Sequence, residues 1–260
     1  CHSLVGSEMC IRDSNKSNKN IIIFPTDKEA IEFSTDFSNL NKNIFHLPSW
    51  DTLSYDSFVP SFDIQGKRLE IAHLLLTNNN YNIATSIKAI SQRIYFEELE
   101  ICKIELNEEI DFDSLIENLI HLKYQRKDRV ESKGSFAIRG GQLDVFPINY
   151  NLPLRVIFDG DLVNEIKTFD TISQRSISET NNILVVPATE LFQIQQSDIL
   201  NLSSNNKENL DDYELFQYSQ NLELEKCLLD LTSKATLHIV DKNIVDNQLK
   251  EVIDLSLIHI

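Results

Sequence analysis

The chain has 260 residues, 42% of them hydrophobic, and its 24 Lys and Arg against 40 Asp and Glu leave a formal net charge of −16. That length and apolar content allow a sizeable core in one to three domains, while the acidity excludes a general nucleic-acid-coating surface, which needs Lys and Arg to neutralise phosphates. No apolar run approaches the roughly 18–20 residues of a membrane span, and of the four cysteines only Cys102 and Cys227 lie outside the first ten residues, a pattern that suits neither zinc nor a disulfide framework and fits a reducing, cytoplasmic compartment.

In chain order, residues 1–14 and 255–260 read as translated sequencing-adapter sequence and are set aside from the fold. Met9, the only methionine, falls inside the first of these, so residues 15–254 are expected to be an internal piece of a longer protein. Asn20–Phe24 is a short apolar run ended by Pro25, as in a buried parallel strand, and Thr26 or Asp27 can cap the helix that follows. Ile44–Leu47 predicts a second strand, Arg68–Leu76 a helix, Tyr81–Thr85 a third strand and Ile87–Leu99 a further helix. Strands alternating with helices over 15–100 predict a parallel α/β layer.

From 101 to 187 the pattern changes. A strand over Ile101–Leu106 precedes a helix over Phe112–Ile120, whose apolar residues at 112, 115, 116, 119 and 120 form one face. Asp111 and Asp113 read as cap and dipole partners of that helix. Strands are predicted over Gly134–Arg139, Gln142–Pro147, Leu154–Phe158 and Val163–Phe169, with Gln142–Phe146 alternating so that one face is buried and the other wet. Residues 188–254 hold a polar loop at 201–212, a helical stretch over Tyr213–Leu231 and one strand over Ala235–Val240, which fits a return of the chain to the α/β layer. The fold class is therefore α/β: a parallel layer interrupted by a small α+β unit.

The sequence has no phosphate-binding G-x-x-x-x-G-K-[ST] loop, no G-x-G-x-x-G, no G-x-S-x-G elbow and no paired metal spacing. His46, His73, His121 and His238 are scattered singly and read as packing or surface residues. Three local features stand out instead. Residues 133–176 hold four of the six glycines and place Arg139 and Arg155 on strand-like segments, which suits a docking surface better than a catalytic pocket. Residues 121–140 carry six cations, Lys123, Arg126, Lys127, Arg129, Lys133 and Arg139, against Asp128 and Glu131. Such a stripe suits an acidic protein partner or a nucleic acid, and equally describes an ordinary mixed-charge surface. The Leu47–Pro60 loop carries the only tryptophan, Trp50, which could stack on bases or clamp a domain interface.

The Leu47–Pro60 loop, with Asp63-Ile64 and Arg68-Leu69 after it, resembles the N-terminal region of the bacterial transcription-repair coupling factors. Tyr124, Gly134, Phe136, Arg139-Gly140, Leu143-Asp144, Phe146-Pro147, Pro153, Arg155, Phe158, Phe169-Asp170 and Gln174-Arg175-Ser176 resemble the interaction domain those factors share with the excision-repair helicase UvrB. Val186-Pro187-Ala188 and Glu190 fit the strand that leaves that domain. The resemblance covers about 20–190. It implies a degenerate RecA-like layer over 15–100, an interaction domain over 101–187 that binds UvrA, and a shortened return segment over 188–254. It implies Arg139, Arg155 and Phe158 as partner contacts; Lys123, Arg126, Lys127, Arg129 and Lys133 are a candidate basic surface from the charge pattern alone. It also implies no catalysis and no cofactor or metal in this stretch. ATP, magnesium, RNA polymerase and double-stranded DNA would engage other parts of a DNA translocase, whose C-terminal domain would mask the UvrA surface. A piece of the ATP-dependent helicase subunit UvrB is the alternative. Two departures from the family are plain. Asp159 stands where a second aromatic is usual, and the Gly-Ile-Glu-Tyr motif expected after Glu190 is not found.

Overall fold

The computed structural model describes residues 19–40, 43–52, 58–94, 98–194, 215–216, 227–232 and 235–258. Its elements in chain order begin with β1 (Lys19–Phe24), α1 (Asp27–Asn39), β2 (Phe45–Leu47), α2 (Phe62–Thr77), β3 (Tyr81–Ser86) and α3 (Ile87–Ser91). They continue with β4 (Cys102–Glu105), α4 (Phe112–His121), β5 (Gln125–Arg126), β6 (Ser135–Arg139), β7 (Gln142–Phe146), β8 (Leu154–Asp159) and β9 (Leu162–Phe169). The last are β10 (Ser176–Glu179), β11 (Asn182–Val185), a 3-10 turn at Leu228–Leu231, β12 (Thr236–Ile239) and α5 (Lys242–Ile258). Two compact units divide the chain: residues 1–50, 71–94 and 224–260 in one, and 51–70 with 95–223 in the other.

The first unit is a four-stranded sheet of order β12-β1-β3-β2, parallel throughout. The run Ile21-Ile22-Ile23-Phe24 is buried to 5% exposure or less, as expected of a parallel strand covered on both faces. Thr26 caps α1 by accepting from the Glu29 N–H at 3.3 Å, and Ala30, Phe33 and Phe37 turn its apolar face inward onto Ile22, Phe24 and Ala84. The helix expected over Ile87–Leu99 is shorter: it ends at Ser91, because Gln92 is extended (φ −68°, ψ 142°) and its Oε1 accepts from the Trp50 N–H at 2.9 Å. Trp50 is buried, so its ring is not offered to solvent for base stacking. The predicted loop at 201–212, most of the 213–231 helix, residues 53–57 and residues 1–14 lie outside the described residues. The 255–260 segment set aside in the sequence begins inside α5, a helix the sequence reading did not foresee.

The second unit is organised by a six-stranded sheet of order β10-β9-β8-β7-β6-β5, antiparallel except for the short parallel pair β5–β6, together with the two-stranded β11-β4 pair. One face of the large sheet supplies Phe136, Leu143, Val145, Leu154, Val156 and Ile166 to a core that α4 joins through Leu115 and Leu119. Each such side chain contributes roughly 1.5–3 kcal/mol by burial. Asp111 caps α4 as its sequence suggests, accepting from the Ser114 N–H at 2.7 Å. The strand expected over 186–190 lies earlier, at Asn182–Val185, where it pairs with β4 and leaves 186–190 as irregular chain. That irregular stretch is well anchored. Arg68, 1% exposed, donates from Nε to Glu190 Oε1 at 2.8 Å, and Gln65 Oε1 accepts from the Glu190 N–H and the Thr189 hydroxyl. Among the described residues no helix is long and apolar enough to cross a membrane.

Candidate functional site

Cross-strand register sets the second face of the large sheet. It aligns Ala137, Asp144, Arg155, Lys167 and Glu179 in one row, and Arg139, Gln142, Ile157 and Glu165 in the next. Side chains opposite one another in a ladder share a face, so both rows lie on the side away from the apolar core. The sequence pattern predicts a wet face here. The structure covers its middle instead: Asp144 is 3% exposed and Phe146 9%, and Val130, Ala137 and Phe169 form a small apolar cluster with Phe146.

Arg155 is the fixed centre of this face. Its Nε and Nη2 donate to the two oxygens of Asp144 at 2.7 and 2.8 Å, and its Nη1 donates to the Gln174 carbonyl at 3.2 Å. The guanidinium also lies over the Phe169 ring, 4.5 Å from its centroid. This forked, stacked arrangement uses the planar geometry that distinguishes arginine from lysine. The hydrogen bonds that Arg155 donates to Asp144 raise its pKa above the ordinary value, against the opposing effect of burial. Asp144 Oδ1 also accepts from Gln142 Nε2 at 3.0 Å. In the same row, Lys167 sits between Glu165 at 2.5 Å and Glu179 at 3.6 Å.

Arg139 differs in kind. It is the exposed last residue of β6, before the Gly140-Gly141 turn, and its side chain donates from Nη2 to the Asp128 carbonyl at 3.2 Å. Gly140 has φ +61°, and a Cβ on Gly141 would stand 3.0 Å from the Phe158 carbonyl, so the turn that carries Arg139 to the rim depends on both glycines. Phe158 faces the other way. Its ring is 7% exposed and meets Phe112 edge to face at 4.9 Å. The adjacent Asp159 is exposed beside Gly160, whose φ is +64°.

The basic segment divides into two groups. Lys133 bonds to Asp63 at 2.5 Å and to the Ile148 carbonyl at 3.0 Å, and Arg129 Nη2 holds the Thr171 and Ile172 carbonyls at 2.8 and 2.9 Å. Lys123, Arg126 and Lys127 are exposed and pair with no carboxylate among the described residues. Sequence reasoning missed the role of Asp144 on this face. The available signal was a carboxylate at a position of β7 flanked by Leu143 and Val145, where a charge needs a partner across the ladder.

The arrangement is suited to recognition by charge and shape. Burial pushes the Cys102 thiol up to about 11, so it stays protonated and is a poor nucleophile. His121 Nε2 lies 3.1 Å from Glu100, and His238 Nε2 lies 3.2 Å from Asn20 Oδ1. No three His, Cys, Asp or Glu side chains converge among the described residues.

Comparison with known proteins agrees with the resemblance drawn from the sequence. The UvrB interaction domain matches residues 102–191. The chain is 27% identical to the transcription-repair-coupling factor of Haemophilus influenzae over 188 residues, 70% of this chain and 16% of that protein. It is 30% identical to the factor of Mycobacterium tuberculosis over 169 residues, 61% and 14%. Likeness to the UvrABC system protein B of Methanococcoides burtonii is 27% over 223 residues, 84% of this chain and 33% of that protein. The chain thus spans about a sixth of the length of the coupling factors it matches.

Proposed function

We propose that this chain is the N-terminal docking module of a transcription-repair-coupling factor, and that it recruits UvrA through the charged face of its interaction domain. The observation that carries this reading is Arg139, exposed at the rim beside the immobilised Arg155–Asp144 pair within the stretch that matches the UvrB interaction domain. In this reading Arg139 makes the partner contact. Arg155 shapes the face and offers the remaining edge of its guanidinium, and Phe158 supports β8 from beneath. A desolvated arginine near the centre of an interface is worth about 2 kcal/mol or more.

The whole protein would be a cytoplasmic, ATP-dependent DNA translocase. Its contacts with ATP, magnesium, RNA polymerase and duplex DNA would lie in other parts, and a C-terminal domain would cover the UvrA surface until the motor engages. This chain would contribute binding without hydrolysis. Titration calorimetry of the purified chain against UvrA tests the reading: saturable heat supports it, and no heat at micromolar concentrations of both overturns it.

A second reading, a piece of the helicase subunit UvrB, draws on the likeness that extends over 84% of this chain. The complete reading frame separates the two. A Gly-Lys-Thr phosphate loop within about 30 residues upstream of Ile21 selects the helicase, where that loop opens the first helix and holds the nucleotide phosphates.

A further inference from the structure

Away from the Arg155 face, a cleft of about 180 Å³ opens beside the edge strand β5, lined by Lys123, Gln125 and Lys127 together with the apolar Pro60, Phe62 and Ala188. Gln125 and Lys127 are alternate residues, and the two-residue period of extended chain turns them to one side; Lys123 reaches the same cleft from the left-handed turn that ends α4. That spacing explains why Gln125 and Lys127 line the cleft while Arg126 between them does not.

Two observations set these lysines apart from an ordinary solvated surface. Lys123 has φ +68°, directly after helix α4, in the left-handed position where glycine is the usual occupant. Hydrogen bonds from the Lys123 N–H to the Ile120 carbonyl at 3.0 Å and from the Tyr124 N–H to the Leu119 carbonyl at 2.9 Å hold it there. A lysine in that conformation is strained where glycine would not be, and its ammonium is delivered to the cleft. Secondly, in a chain of net charge −16, neither Lys123 nor Lys127 pairs with a carboxylate among the described residues. Lys133, which also lines the cleft, is by contrast neutralised by Asp63.

We propose that this cleft is a second docking site, for a short acidic peptide that presents one apolar side chain between carboxylates. The apolar side chain meets Phe62, which is 44% exposed, and the carboxylates meet Lys123 and Lys127. The volume accepts a side chain and not a duplex, and the apolar Phe62 and Ala188 beside the lysines suit a peptide's apolar side chain. The site is separate from the arginine face: five residue steps along β6 from Gly134 to Arg139 amount to roughly 16 Å.

The test uses a fluorescein-labelled heptapeptide of three aspartates, a central phenylalanine and three aspartates. Comparison probes are the same peptide with lysines for aspartates and a seven-residue oligothymidylate, each titrated by fluorescence anisotropy. The acidic peptide is expected to bind saturably and to weaken with added salt. Affinity falls at least tenfold in K123E/K127E and stays unchanged in K242E/K250E, which carries the same change in net charge. Lys123→Gly separates function from structure: relief of the left-handed strain raises the melting temperature while peptide binding weakens. The proposal is overturned by undetectable binding of the acidic peptide, by equal affinity in K123E/K127E, or by oligothymidylate binding more tightly than the peptide. Its readout is peptide binding alone, so failure of the UvrA reading leaves it intact.

Discussion

The two faces of the six-stranded sheet are built from the same strands and do different work. On one, Phe136, Leu143, Val145, Leu154 and Val156 are fully buried against the helix Phe112–His121. On the other, the same strands present Asp144, Arg155, Lys167, Glu165 and Arg139. The first face stabilises through area removed from water, which is indifferent to partner identity. The second stabilises only where charges are matched, and every charge left unmatched there is available to another molecule. Arg155 and Arg139, at register positions one row apart, mark the boundary between these two uses.

The largest effect should come from the apolar face. Phe136→Ala removes a fully buried ring and costs about 3–5 kcal/mol in urea unfolding of the chain. A cost below about 1 kcal/mol would mean that this face is not the core.

Next comes Arg155→Glu, which sets a second carboxylate against the buried Asp144 and strands it without its fork partner. About 3 kcal/mol or more of destabilisation is expected by the same measurement. UvrA binding in this variant would therefore report folding as well as contact. D144R/R155D, which reverses the pair, recovers a large part of the loss if the pairing itself is what matters, and none of it if the orientation of the fork on Phe169 is decisive.

A smaller effect follows from acid. The Ser114 hydrogen bonds hold the Asp111 carboxyl below its usual range, and those of Ser173 do the same for Asp170. A folded-state pKa that is depressed adds stability above the ordinary carboxylate value and loses it as pH falls through the folded value. The unfolding midpoint should thus decline below about pH 4, and Asp111→Ala should lower the midpoint at neutral pH while making that decline shallower. An unchanged acid limb in Asp111→Ala would remove the cap from the account.

The smallest effect on stability, within about 0.5 kcal/mol, belongs to Arg139→Glu, because the side chain is exposed and, among the described residues, bonds to a carbonyl at the rim rather than to a carboxylate.

How much of this was legible in the sequence depended on period and length. The apolar run Ile21–Phe24, the strand Gln142–Phe146 and the Thr26 and Asp111 caps each have a local signature and appear where expected, but the wet face that the alternation in Gln142–Phe146 predicted is covered, with Asp144 and Phe146 buried. β5 has two residues and no period to read, and β10 is Ser-Ile-Ser-Glu exposed at every position, so both are strands by pairing alone. Gly66 reads as an ordinary helical glycine. A Cβ there would lie 2.5 Å from the Ile148 carbonyl oxygen, a close approach that only the fold reveals. At the candidate site the two arginines were visible as residues out of place on strands. Their different employment was not, since it rests on Asp144, Gln174 and Phe169 arriving from three separate segments.

The central claim is that the charged face serves a partner at its rim, independently of fold stability. The affinity of Arg139→Glu for UvrA, measured by calorimetry beside the unaltered chain and with both unfolding midpoints in hand, tests it most directly. Binding weakened about thirtyfold or more, corresponding to about 2 kcal/mol, at an unchanged midpoint is the expected result. Unaltered affinity at an unchanged midpoint would contradict it.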